Sequence, residues 1–298
     1  MSNITLYNRE GNKLEDEVVF GKSLMNFMYS NKLGLFITER ILKQKYFSIF
    51  YGNLLKKPSS KKKIKSFIEQ HKINVSDILD DVESFDSFND FFIRKLKPSA
   101  RPINYDDDIL ISPADSRLSI YPIKDDTIFP IKGKKFSLSE LILDHSLVEK
   151  YKDGLCLVFR LAPADYHRFC YIDNGIQSKV VTIGKYFHSV NPIALESNLP
   201  VFQGNYREMC ELKTKNFGDV LDIDIGALGV SKIIQNNPNN CTFTKGQEKG
   251  YFEFGGSTTV LIFEKNKVQI DLDIVEHSSK GIETLIKYGS SIGKKVKI

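Results

Sequence analysis

The segment Phe254-Gly255-Gly256-Ser257-Thr258 constrains this chain more tightly than any other. It stands near the C-terminus between Gly250-Tyr251-Phe252-Glu253 and Thr259-Val260-Leu261-Ile262-Phe263, two runs of strand character. Two consecutive glycines there demand a sharp turn, because glycine enters positive φ without steric penalty. The ordinary outcome is a hairpin turn. The other outcome is chemical. In a tightly held Gly-Ser turn the Ser257 hydroxyl can attack the Gly256 carbonyl and cut the chain. The serine left at the new N-terminus can then become a pyruvoyl group, an electrophile made from the chain itself. The turn alone does not decide between these outcomes.

The 298 residues suffice for one large domain or two modest ones without staples. The four cysteines, Cys156, Cys170, Cys210 and Cys241, form no Cys-x-x-Cys pair, so neither a metal site nor a disulfide framework is implied. The N-terminal Met1-Ser2-Asn3-Ile4-Thr5-Leu6 lacks the apolar core of a secretory signal, and no run reaches the roughly 18 apolar residues of a membrane span. These features predict a protein of the cytoplasm, with peripheral membrane contact left open.

Charge is concentrated. From Lys22 to Lys65 the basic excess is roughly +10 against a whole-chain net of +5. Within that stretch Leu24, Phe27, Met28, Leu35, Phe36, Ile41, Leu42, Phe47 and Phe50 recur at helical spacings, with Lys32, Arg40, Lys43, Lys45, Lys56 and Lys57 between them. Basic side chains beside large apolar ones suit an anionic lipid surface. Packing on the protein's own core is the equal alternative. Nucleic acid is disfavoured, because no nucleic-acid-binding module is recognisable. A second helix is expected after Pro58-Ser59-Ser60, and a short aromatic one in Ser84–Leu96, ended by Pro98 and Pro102.

The remainder reads as β-structure, with strands expected at Leu118–Tyr121, Leu155–Phe159, Lys179–Ile183, Asp219–Ile225 and Val268–Ile274. Helices are expected at Ser137–Leu143 and Ile282–Tyr288. The fold class is therefore α+β: a helical, membrane-associating N-terminal part (1–97) packed on a β-rich catalytic domain (98–298). The apolar Thr259–Phe263 run should be a strand of the same sheet system.

Three further segments carry reactive groups. Ser112-Pro113-Ala114-Asp115 sets an acid before a strand, Arg160–Phe169 sets His167 after one, and Phe187-His188-Ser189-Val190-Asn191-Pro192 adds a second histidine. Acid, histidine and serine are the parts of an activated nucleophile. Taken singly, each is more often a turn former or a hydrogen-bonded structural residue.

Phe88-Asn89-Asp90-Phe91-Phe92-Ile93-Arg94-Lys95-Leu96 with Ala100-Arg101-Pro102-Ile103, the three segments above, and Tyr251–Thr258 together resemble the motifs of phosphatidylserine decarboxylases, in the same order. Glu283-Thr284-Leu285 and Gly289 also fit, so the resemblance runs from about Lys22 to the C-terminus. It implies a self-processing lyase that cuts between Gly256 and Ser257 into a β chain (1–256) and an α chain (257–298) of about 4–5 kDa. The chains would stay together as a heterodimer, and family members are often homodimers besides. Ser257 would become the covalent pyruvoyl cofactor, the electron sink for converting phosphatidylserine to phosphatidylethanolamine and CO2 in phospholipid biosynthesis. No metal is implied. The expected location is the cytoplasmic face of the cell membrane, as a peripheral protein.

By position Asp115 matches the acid of the family's processing triad, Ser257 its nucleophile, and His167 a histidine that handles substrate. Many members carry another histidine, the usual processing base, where this chain has Cys170; Ser116 replaces a frequent glycine. A neutral thiol is a poor base, which leaves His167 or His188 for that role. Two other readings stay open: an unprocessed, non-catalytic lipid-binding relative, and a pyruvoyl decarboxylase of a different serine-headgroup lipid.

Overall fold

The computed structural model describes residues 4–17, 22–124, 128–131, 134–190, 192–195, 201–229 and 232–296. Met1–Asn3 and Asn191, which enter the sequence reading, lie outside them. Among the described residues eleven strands form one sheet. Its spatial order is β14 (Cys241–Phe243), β9 (Gly175–Gln177), β11 (Arg207–Thr214), β12 (Asp219–Gly226), β16 (Ser257–Phe263), β7 (Leu155–Leu161), β4 (Ser116–Pro122), β18 (Glu283–Ile286), β1 (Thr5–Asn8) and β2 (Lys13–Asp16); β10 (Val181–Ile183) also pairs with β11. Smaller sheets are β13 (Ile233–Gln235), β15 (Glu248–Phe252) and β8 (Arg168–Cys170); β17 (Val268–Ile270), β19 (Ser291–Lys295) and β3 (Ile109–Ile111); and the hairpin β5 (Ile128–Ile131) with β6 (Lys134–Ser137). The protein is mixed α+β.

All seven residues of β16 are buried. Val260 and Ile262 face one apolar core with Cys156, Val158 and Ile223, whereas Leu261 and Phe263 face the other with Leu157, Phe159 and Val220. A strand clad on both faces reads as an unbroken apolar run, as Thr259–Phe263 does. Burying each of its four large apolar side chains is worth about 1.5–3 kcal/mol, which holds this strand in the sheet whether or not the chain is cut ahead of it.

The helical layer consists of α1 (Lys22–Ser30), α2 (Lys32–Ile37), a π-helical turn Thr38–Leu42, α3 (Lys45–Leu55), α4 (Lys63–His71) and α5 (Phe88–Phe92). α1 and α2 cross so closely that a Cβ on Gly34 would meet the Phe27 carbonyl oxygen at 1.8 Å, so only glycine fits there. Inward, Met28, Tyr29, Ser48 and Leu55 are buried. Outward, Leu33, Phe36, Ile41, Tyr46 and Phe50 are exposed, Phe36 at 61% and Phe50 at 62%. These helices carry apolar side chains on both their inner and outer sides. The second helical core joins Leu55, Ile64, Phe67, Phe85, Phe88, Phe91 and Phe92 to Phe254, so the glycine turn is anchored in the helical layer. No helix among the described residues is long and apolar enough to cross a membrane.

Of the short helices α6 (Leu138–Ile142), α7 (His145–Lys150), α8 (Pro192–Leu195), α9 (Val201–Gly204) and α10 (Leu272–Ser279), α6 matches the expected one and has a capping box from Ser137 and Glu140. Three expectations differ. Ile282–Tyr288 holds the strand β18, not a helix, because its residues pair with both β4 and β1. The expected strand Val268–Ile274 stops at Ile270, and α10 follows. The residues ahead of α1 form a hairpin, β1–β2, on the edge of the main sheet rather than part of the helical layer.

Candidate active site at the Gly-Gly-Ser turn

The chain leaves the small sheet at Phe252 and enters the main sheet at Ser257, so residues 253–256 bridge two sheets. The Glu253 N–H donates to the Lys232 carbonyl at 3.0 Å, and its carboxylate pairs with Lys56, just after α3, at 2.7 Å. The Phe254 N–H donates to Oδ1 of buried Asn89 at 3.1 Å. The Phe254 ring packs on Phe88, Phe92 and Tyr51. Gly255 has φ +142°, a region L side chains rarely adopt. Ser257 then stands opposite Gly226 of β12 and Leu161 of β7. Ser257 is fully buried, and its Oγ has no hydrogen-bond partner.

His167 comes closest to this turn among the residues expected to act. Its carbonyl accepts from the Phe252 N–H at 2.9 Å, and its ring lies 4.2 Å from the Phe92 ring. Nδ1 is 3.0 Å from the Asp165 carbonyl oxygen. A proton on Nδ1 satisfies that carbonyl and leaves Nε2 with a lone pair, while the Gly255 backbone also faces the ring. Nε2 has no hydrogen-bond partner and is buried. Burial drives the ring's pKa down to about 3; the Asp165 and Gly255 backbones favour the charged form, while Arg94 and Arg117 oppose it.

The other expected residues are differently engaged. The hydrogen bonds and close contacts of His188 run to Asn205, Leu228 and Glu39, not to Ser257; its Nε2 is 3.5 Å from Glu39 Oε1, and burial lowers its pKa to about 4. Asp115 is gripped by Arg101, at 2.8 Å from Nε and 2.6 Å from Nη2, and receives the Tyr288 N–H at 2.8 Å. Asp115 precedes β4 and Ser257 begins β16, and β7 lies between these two strands. The Cys170 thiol is buried and held neutral, its pKa pushed up to about 12 by burial although the Tyr288 hydroxyl beside it works the other way. Among the described residues no group of His, Cys, Asp or Glu could hold a metal ion.

Beside the turn lies a cavity of about 300 Å³. Met25, Met28, Phe47 and Tyr51 of the helical layer form one wall, and Leu161, Val190, Phe254, Gly255 and Gly256 another. Glu17 and Arg160 make its polar end. Arg160 donates to Glu283 through Nε at 3.0 Å and to Glu17 through Nη2 at 2.9 Å, while Arg117 pairs with Glu17 and Asp165. Glu17, from the hairpin end, and Asn89, a polar group within an aromatic run, are site residues to which the sequence reading gave no role. For Asn89 the signal was a polar residue on the buried face of a phenylalanine-rich helix.

An apolar cavity that ends in an ion-pair network suits an amphiphilic ligand. Comparison narrows the class. A family model described as phosphatidylserine decarboxylase matches residues 88–294. The chain is 46% identical over 294 residues to a phosphatidylserine decarboxylase proenzyme of Clostridium botulinum (strain Alaska E43 / Type E3), covering 98% of this chain and 99% of the relative. It is 46% identical to the proenzyme of the same name from Clostridium tetani, covering 98% of each, and 44% identical to that of Fusobacterium nucleatum, covering 96% of this chain and 95% of the relative. The chain belongs to the phosphatidylserine decarboxylase family.

Proposed function

We propose that the protein cuts itself between Gly256 and Ser257 and then decarboxylates phosphatidylserine to phosphatidylethanolamine. The observation that carries this reading is the buried, unbonded Ser257 Oγ in a glycine turn that borders an apolar cavity. The neutral His167 is the proton acceptor: its free Nε2 takes the Ser257 Oγ proton as the oxygen attacks the Gly256 carbonyl. Gly255 supplies the backbone conformation that turns that carbonyl toward the hydroxyl. Asp115, held by Arg101 and by the Tyr288 N–H, orients the wall on the far side of β7. His188 holds the seam between sheet and helical layer through Glu39, and the neutral Cys170 takes no proton.

Residue 257 fits a pyruvoyl group, since its side chain has no bond to lose and its neighbours Gly255 and Gly256 line the cavity. When formed, that group supplies a ketone for the substrate amine and a sink for the electrons left by CO2. The apolar walls hold the first part of the acyl chains, and the Arg160–Glu17 end meets the polar headgroup.

The outward-facing Leu33, Phe36, Ile41 and Phe50, interleaved with Lys32, Arg40 and Lys45, support docking on an anionic membrane surface, as at the cytoplasmic face. Cavity and docking face meet on α3, which supports substrate entry from the bilayer side.

Intact mass under denaturing conditions, followed by incubation with phosphatidylserine vesicles, tests the reading. The expected result is a fragment of about 4–5 kDa beginning with a pyruvoyl group, and CO2 release. A single 34.0 kDa chain that releases no CO2 would overturn it and favour an unprocessed lipid-binding relative.

A further inference from the structure

We infer that Asn89 is a positioning residue for chain cutting: its side-chain carbonyl holds the amide two residues before the cut bond, aligning the Gly256 carbonyl with Ser257. This rests on self-cutting at Gly256–Ser257.

Downstream of the cut, Ser257 is fixed by pairing with two strands. Upstream, Gly255 and Gly256 have no side chains to pin them. The backbone hydrogen bond nearest before them is the Phe254 N–H on Asn89 Oδ1, a buried bond of 3.1 Å, beside the packing of the Phe254 ring. Intramolecular attack depends on such placement, because reacting atoms must be held about 3–3.5 Å apart and in line.

Asn89 is itself rigidly mounted. Ser87 caps α5 by accepting the Asp90 N–H, and the Phe88 N–H donates to Ser60 Oγ, which donates in turn to the Leu55 carbonyl. The bond therefore transmits the position of the α3–α5 corner to the turn. Phe88 and Phe92, beside Asn89 in sequence, clamp the Phe254 ring. A polar side chain only 5% exposed among phenylalanines needs a partner, and Phe254 provides it.

The test follows the small fragment in time during cell-free synthesis of wild type, N89A, N89D and S257A. N89D keeps an acceptor oxygen in the same place; N89A does not. N89A should cut roughly tenfold more slowly or worse, and N89D should remain within about threefold of wild type. Urea unfolding of N89A in the S257A background verifies that the slow precursor is folded. Should N89A not fold, N89S, which is too short to reach Phe254, takes its place. A folded N89A (or N89S) that cuts at the wild-type rate overturns the inference, as does an N89D as slow as N89A. Failure of wild type itself to cut would instead overturn the underlying reading.

Discussion

Acidification from about pH 7.5 to about pH 4.5 should destabilise the uncut S257A protein, and H167Q should remove one histidine's share of that loss. Burial holds the folded His167 pKa at about 3 against an ordinary 6.5. Below pH 6.5 the unfolded ring binds a proton that the folded ring refuses until about pH 3. The stability contributed by the neutral ring is therefore complete above 6.5 and lost as pH falls toward 3, with a limiting slope of about 1.4 kcal/mol per pH unit. By pH 4.5 the loss is about 2–3 kcal/mol. His188, lowered to about 4, acts in the same direction and adds a similar amount in both proteins.

Urea unfolding of S257A and of S257A with H167Q, at several pH values, reads this directly. The stability difference between the two should shift by about 2–3 kcal/mol in favour of the H167Q protein on going to acid. Parallel pH curves would refute the reasoning, because His167 would then titrate equally in folded and unfolded chains. The same neutrality predicts that the cutting rate has no inflection near pH 6.5 from this residue, a point checked by fragment mass against time.

Gly255→Ala places a side chain at φ +142°, a strain of about 1–3 kcal/mol that falls on the turn itself; cutting followed by mass should slow by about tenfold or more. Glu17→Ala strips a carboxylate from two buried arginines that each keep one other acid, so stability by urea unfolding should fall by about 3 kcal/mol, and a loss below 1 would mean that the network is not desolvated. Phe36→Glu with Phe50→Glu should abolish sedimentation with anionic vesicles while leaving cutting intact; undiminished binding would remove these helices as the docking face.

The parts legible in the sequence are those whose burial pattern is local. Thr259–Phe263 announced a two-faced buried strand through its apolar run, and the spacings in Lys22–Leu55 announced helices. The sequence left open whether their apolar residues packed on the core or faced outward, and the structure shows both. What the sequence hid was decided by distant partners. Glu283–Ile286 is too short for periodicity to settle, and becomes a strand because Leu118 and Leu6 flank it. The polar run around Asn8–Lys13 hid a hairpin that ends beside Glu17, which pairs with Arg160. Family order brought Asp115, His167 and Ser257 to notice, yet it carried no distances, and Asp115 stands across β7 with its oxygens already committed. Asn89 shows the limit most clearly: its partner lies 165 residues away. A side chain whose role is to hold a remote backbone amide looks, in sequence, like one polar residue too many in an aromatic helix.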